Sequence, residues 1–171
     1  MKKNLITGLT LGLFALICGL MLSVVNMITG PIIKTQNEEK AQLAIKEVCP
    51  EYDMNTFDSV EIEHSEQKEI VSILKVTSKE DASIAYCIYT IDVTGYASTI
   101  RMMICVNSSY EIVGYKVISS QETKGDIKAH DFNMTGKKNL DEFDKLAGSS
   151  VSSKAVRKCF NIALYYSHID M

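Results

Sequence analysis

The 171-residue chain has no tryptophan, only two prolines and three histidines, and five cysteines that stand far apart. Cys18, Cys49, Cys87, Cys105 and Cys159 form no C-x-x-C pair and are odd in number. Zinc and iron–sulfur sites declare themselves by close ligand pairs, so no metal site is assigned. Cys87 and Cys105 fall in adjacent predicted strands, where they either bridge or pack as small core residues. His64, His130 and His168 are isolated in sequence. No Ser-His-Asp or Cys-His grouping arises from spacing, so no catalytic residue is assigned. A glycine-rich dinucleotide loop is also missing, as is any internal repeat or low-complexity tract.

Basic charge is scarce too. Beyond residue 33 lie all 21 acidic residues and 16 of the 18 Lys and Arg (all but Lys2 and Lys3), a net charge of −5 for that part. Mild acidity argues against a nucleic-acid partner, which requires a basic face.

What is present begins with an uncharged run. After Met1-Lys2-Lys3 no charged residue occurs until Lys34, and Leu5 to Ile28 has only Thr7, Thr10, Ser23 and Asn26 as polar interruptions. At about 1.5 Å per residue this run spans the roughly 30 Å hydrocarbon core of a bilayer. A cleaved signal peptide is the competing reading. The run is long for a signal core, and no small-x-small cleavage site follows it, which favours an uncleaved anchor. Lys2 and Lys3, hard against its N-terminal end, place the N-terminus in the cytoplasm and the remainder outside. The expected organisation is a cytoplasmic N-terminus and transmembrane anchor over 1–29, a juxtamembrane helix or stalk over 30–50, and a folded domain over 51–171.

In the stalk, Ile33, Ala41, Ala44, Ile45 and Val48 lie near one side of a helix, as a stalk or as a lid on the domain. Cys49-Pro50 stops that helix, because proline lacks the N–H and restricts the residue before it. From Ser59 to Ser120 the chain reads as strands: Ser59–His64, Glu69–Thr77, Ala82–Val93, Ser98–Asn107 and Ile112–Ser119. The short turns between them imply an antiparallel meander. Asp144 to Leu164 then passes through Ala147-Gly148, offers Ser149, Ser150, Ser152 and Ser153, and becomes an amphipathic helix. Ala155, Val156, Cys159, Phe160, Ala163 and Leu164 form its apolar face. Strands followed by a terminal helix make an α+β domain. A helix start that gathers Gly148 and four serines is either a phosphate site, built on free N–H groups and the helix dipole, or a set of capping serines.

The stretch D-K-L-A-G-S-S-V-S-S-K-A-V resembles the signature of the FMN-binding domain found in the G subunit of the Rnf complex and in the C subunit of the Na⁺-translocating NADH:quinone reductase. That pattern is roughly D-x-x-[ST]-G-A-[TS]-x-S-S-x-A-V. In that family a flavin transferase, which recognises the acidic residue, esterifies the [TS] hydroxyl to the phosphate of FMN. The resemblance makes Asp144 the recognised acid, Gly148 the glycine, Ser150 the acceptor, and Ser152, Ser153, Ala155 and Val156 the helix start. Ala147 stands where Ser or Thr is usual, and Ser149 where Ala is usual.

Gly95-Tyr96 and the later Glu122-Thr123-Lys124-Gly125 resemble the family's G-Y and E-T-P-G segments, the second of which lies beside the flavin. Lys124 replaces the proline, and Asp126-Ile127 the usual hydrophobic-Gly pair. The juxtamembrane S-V-V-N-M-I-T-G-P-I-I, with the helix ending in V-C-P, is also similar to the Rnf G subunit.

The resemblance implies an α+β protein: one N-terminal transmembrane helix, then an extracytoplasmic antiparallel-sheet FMN-binding domain with a C-terminal helix. It further implies a phosphoprotein of the cell membrane that relays electrons through covalent FMN on Ser150. Its partners would be the other membrane subunits of an ion-translocating complex, the flavin transferase and membrane lipid. Two other readings stay open: a stand-alone anchored FMN electron carrier, and a degenerate, flavin-free interaction protein within the complex.

Overall fold

A computed structural model of the chain describes residues 8, 11–23, 27, 42–53, 55–62, 67–122 and 126–171. The chain divides into two compact units, Met1–Gln42 and Leu43–Met171. In the first, residues 11–23 are helical and exposed throughout, with Leu11, Leu13, Phe14, Leu16, Leu20 and Leu22 among the large apolar side chains open to the surroundings. Among the described residues no helix is long and apolar enough to cross a membrane. Both ends of the expected 5–28 span, the turn at 29–31 and the first part of the stalk fall largely outside the described residues.

The second unit is built on five strands: β1 (Phe57–Ile62), β2 (Ile70–Ser78), β3 (Ala85–Thr94), β4 (Thr99–Asn107) and β5 (Ile112–Ser119). They lie in chain order and every neighbouring pair is antiparallel, so the sheet is the expected meander. A 21-residue helix, Ser150–Asp170, follows and packs across β3 and β4. The α+β expectation holds, and each strand lies where β-branched and aromatic residues concentrate.

Both faces of the sheet are covered, which explains why the central strands read as almost continuous apolar runs. On one face Cys87, Tyr89, Ile91 and Val93 of β3, with Ile100, Met102, Ile104 and Val106 of β4, meet Ala155, Val156, Cys159, Phe160, Ala163 and Leu164 of the helix. These are the six helix positions that the 3–4 spacing selects. The segment between β5 and the helix completes this core with Ile127, Phe132 and Met134. Phe132 stacks on Phe143 at 5.5 Å and meets Phe160 edge-on.

On the opposite face helix 42–48 and the turn after it lay Ala44, Val48, Cys49 and Tyr52 over Val76, Tyr86, Ile88, Met103 and Cys105. The backbones approach closely there. A Cβ on Gly114 would stand 2.4 Å from the Val48 carbonyl oxygen, so only glycine admits the contact.

Register separates the two strand cysteines. Cys87 pairs with Val106 and Ile88 with Cys105, and partners across a sheet share a face. Cys87 therefore points to the helix side and Cys105 to the other, and all five cysteines are free. Of the two readings of this pair, core packing is the one observed.

The helix is fastened at its far end. Lys75 Nζ donates to the carbonyls of Asp170 and Met171 at 2.8 and 3.0 Å, and Tyr89 OH donates to Asp170 Oδ2 at 3.0 Å. A cation at free helix carbonyls is the favourable pairing.

Candidate functional site

The helix begins at a turn that only a few residues accept. Gly148 has φ +77°, in the left-handed region, where glycine carries no steric penalty. The reversal lets Ser149 N–H donate to the Leu146 carbonyl and sets Ser149 as the N-cap. Its side chain makes no capping hydrogen bond, and the first turn carries no acidic residue.

The four serines then separate into distinct roles. Ser153 is buried and its Oγ accepts from Leu146 N–H at 3.1 Å, which ties the preceding loop to the helix. Ser152 is buried and its Oγ donates to Glu122 Oε2 at 2.5 Å. Ser149 is 6% exposed. Ser150 alone among the four is open to solvent.

Glu122 is the hub of the other wall. Oε1 accepts from the backbone N–H groups of Ala97 and Ser98, both at 3.1 Å, and Oε2 accepts from Tyr96 N–H at 3.2 Å. One carboxylate thus closes the β3–β4 turn and reaches the helix through Ser152. Burial works to raise its pKa, but the Ser152 hydroxyl and the N–H groups of Ser98, Ala97 and Tyr96 outweigh that. The net effect holds the carboxyl below its ordinary range. Gly95 makes room for this arrangement, because a Cβ there would stand 2.3 Å from Glu122 Oε1.

Two cavities flank Ser150. One, of about 200 Å³, is lined by Tyr96, Glu122, Gly148, Ser149, Ser150, Val151 and Ser152. The other, of about 340 Å³, is lined by Phe143, Lys145, Leu146, Gly148, Ser150, Ser153, Lys154 and Arg157. Gly148 and Ser150 belong to both. The first is walled by a carboxylate and hydroxyls, the second by three cations over an apolar floor.

The sequence comparisons complement this geometry. The family model for the FMN-binding domain matches residues 95–165, and that for the RnfG N-terminal region matches residues 1–48. Over residues 95–165 the chain is thus similar to the FMN-binding domain family.

Among curated relatives it is similar to the G subunit of the ion-translocating oxidoreductase complex of Shewanella piezotolerans, 29% identical over 134 residues, which covers 73% of this chain and 62% of the relative. The corresponding protein of Shewanella oneidensis is 24% identical over 191 residues, 97% of this chain and 89% of the relative. That of Pasteurella multocida is 24% identical over 173 residues, 87% and 86% respectively. In the Shewanella piezotolerans and Shewanella loihica alignments the chain spans less than two thirds of the relative's length.

The FMN-binding domain match opens at Gly95 and ends at Tyr165 within the helix, so it takes in both walls described above. Gly148, Ser149, Ser150, Ser152, Glu122 and Tyr96 converge on one cavity, with Gly95 behind Glu122, although the sequence separates Glu122 from Ser150 by a long loop. Ser153 lines the second cavity. Asp144 lines neither. Its carboxylate is largely exposed and lies 3.4 Å from His130 Nε2, a buried nitrogen without a hydrogen-bond partner among the described residues. Thr123 lies outside the described residues.

Lys145, Lys154, Arg157 and Phe143 escaped the sequence reading. The available signal was spacing: Ser150, Lys154 and Arg157 recur at the four- and three-residue steps that share a helix face.

These residues fit a flavin mononucleotide. An exposed hydroxyl at a helix N-terminus, with cations on one side and a hydrogen-bonding wall on the other, provides for a phosphate and for polar ring edges.

Proposed function

We propose that this chain is a membrane-anchored flavoprotein component of an ion-translocating oxidoreductase complex, with FMN held by a phosphoester on Ser150. The observation that carries the proposal is the sorting of the serines. Ser152 and Ser153 are committed to hydrogen bonds and Ser149 is buried, whereas Ser150 is exposed at the junction of two cavities.

Bound FMN supplies reversible redox chemistry, and the protein positions and tunes it. Gly148 and the free N–H groups of the first helical turn would hold Ser150 Oγ and offset the charge of a phosphodiester there. The transferase would form the Oγ–P bond by breaking a phosphoanhydride of an activated flavin nucleotide, the other phosphate leaving as the serine proton is lost. Glu122 keeps the Tyr96–Ser98 turn beside that position. Covalent attachment suits a domain on the outer face of a membrane, where a dissociated flavin is lost.

The anchor is assigned to the uncharged run from Leu5 to Ile28, with the N-terminus cytoplasmic. The apolar, exposed helix over 11–23 supports this reading. Maturation is assigned to a flavin transferase that recognises Asp144. Electron exchange and ion movement involve the other membrane proteins of the complex. The relatives, each named as part of such a complex, favour this reading over a stand-alone carrier.

The test is coexpression with a competent flavin transferase, followed by a denaturing gel viewed for flavin fluorescence. The full chain is expected to fluoresce and Ser150→Ala to be dark. A dark wild-type band, with a control flavoprotein labelled in the same cells, refutes the covalent carrier and points to a flavin-free interaction protein.

A further inference from the structure

Several cations of the folded unit are engaged in ion pairs. Arg101 pairs with Asp92, Lys116 with Glu47, Lys137 with Glu142, Lys138 with Glu111 and Lys158 with Glu69. Lys145, Lys154 and Arg157 form no ion pair among the described residues, yet all three line the larger cavity beside Ser150. Unpaired charges of one sign repel one another, so their gathering around a concave surface creates a local positive potential. Lys154 and Arg157 share the helix face of Ser150, one and two turns further on. Lys145 comes from the loop on the other side of Gly148. Next to them Ser149 is nine-tenths buried at the helix N-terminus with a hydroxyl that makes no capping bond.

We propose that Lys154, Arg157 and Lys145 form a phosphate-binding site that receives the phosphate of the flavin nucleotide and holds it against Ser150. They are positioning residues: they touch the phosphate and leave the redox ring to other groups. Arg157 offers a planar fork matched to phosphate oxygens, whereas Lys154 and Lys145 act as mobile point charges. The helix N-terminus adds its free N–H groups to the same anion. Phe143 and Leu146 exclude water from the floor of the cavity, which strengthens the ion pairs above it. The inference takes its ligand from the Ser150 reading, but its test does not require that a bond to Ser150 forms.

The experiment uses the full chain in detergent, produced without a flavin transferase so that Ser150 stays unmodified, and titrates it with FMN and with riboflavin, which lacks the phosphate. Partly exposed ion pairs contribute modestly, so three cations are expected to favour FMN over riboflavin by about tenfold. The preference should fall as salt is raised. Lys154→Gln/Arg157→Gln should abolish it without changing riboflavin affinity or thermal unfolding, and Lys154→Arg/Arg157→Lys should retain it. Lys145→Gln alone should reduce it partially.

Equal affinity for the two ligands, no measurable binding of either, or a preference that survives Lys154→Gln/Arg157→Gln overturns the proposal. If the preference vanishes in the variants while peptide mapping finds Ser150 unmodified after transferase treatment, the phosphate site stands and the acceptor assignment falls. The reverse pattern, a modified Ser150 with a preference insensitive to the cations, refutes the site and leaves the carrier intact.

Discussion

Replacing Glu122 by glutamine tests whether one carboxylate holds the two walls of the site together. In the native protein it accepts three backbone N–H bonds from the β3–β4 turn and two hydroxyl bonds, from Ser152 at 2.5 Å and from Ser98 at 3.5 Å. Gln keeps one acceptor oxygen and puts an NH₂ group where the other stood, so a donor faces Tyr96 N–H in one orientation and the N–H groups of Ala97 and Ser98 in the other. Leaving a donor unsatisfied costs about 1–3 kcal/mol, and loss of charge weakens the bonds that remain. The turn is partly solvated and water recovers some of this, so the expected cost is about 2 kcal/mol.

A unit the size of Leu43–Met171 lies between the small and large domains for which 1 kcal/mol shifts Tm by about 4–8 °C and about 2–4 °C respectively. The expected drop at pH 7 is therefore about 6–10 °C. The pH dependence has a definite sign. Because the folded-state pKa of Glu122 is depressed below its ordinary 4.5, its contribution is complete above that value and fades as pH falls through the folded-state pKa. Thermal unfolding of wild type and Glu122→Gln from pH 7 to below pH 4.5 should show two curves that converge in acid. Equal Tm values at pH 7, or a gap that does not shrink on acidification, refute the clamp.

Other expectations follow from single contacts. Gly95→Ala forces a Cβ against Glu122 Oε1, Ile100 and the Ser98 carbonyl, and should cost about 1–3 kcal/mol in chemical denaturation, together with loss of FMN loading. Gly114→Ala presses on the Val48 backbone and should expose the 42–52 segment to limited proteolysis while the strands keep their circular dichroism. Phe160→Ala removes a fully buried ring from the centre of the aromatic cluster, with an expected loss of about 3–5 kcal/mol. Burial raises the Cys87 thiol and pushes Cys159 up to about 12. At pH 8 both should react with a disulfide reagent only after denaturant is added, and rapid labelling in the folded protein would contradict their placement in the core.

The fold was largely legible because it depends on local patterns. β5 begins and ends at the residues its run of β-formers selects, and the helix buries the face its periodicity marks. The other strands differ only at their ends, where turn hydrogen bonds rather than composition decide the limits, as at Ser78 N–H to the Ile84 carbonyl. What stayed hidden depends on register and loop path. The opposite facing of Cys87 and Cys105 follows from the β3–β4 register, which the Gly95–Ser98 turn sets and no single run reveals.

Within the site, the G-S-S-V-S-S string cannot say which hydroxyl is free. That follows from Leu146 and Glu122 engaging Ser153 and Ser152. Of the cavity of Lys145, Lys154 and Arg157 only the helical spacing of Ser150, Lys154 and Arg157 was legible; Phe143, Lys145 and Leu146 join it through the path of the loop, where Phe143 stacks on Phe132.

The most direct test of the central claim is intact mass of the protein isolated from its native membranes, followed by peptide mapping across Asp144–Arg157. An increase matching FMN less water, localised to Ser150, is the expected result. An unmodified Ser150 peptide, from membranes whose other flavoproteins carry their FMN, or the same increase on Ser149, would contradict the account.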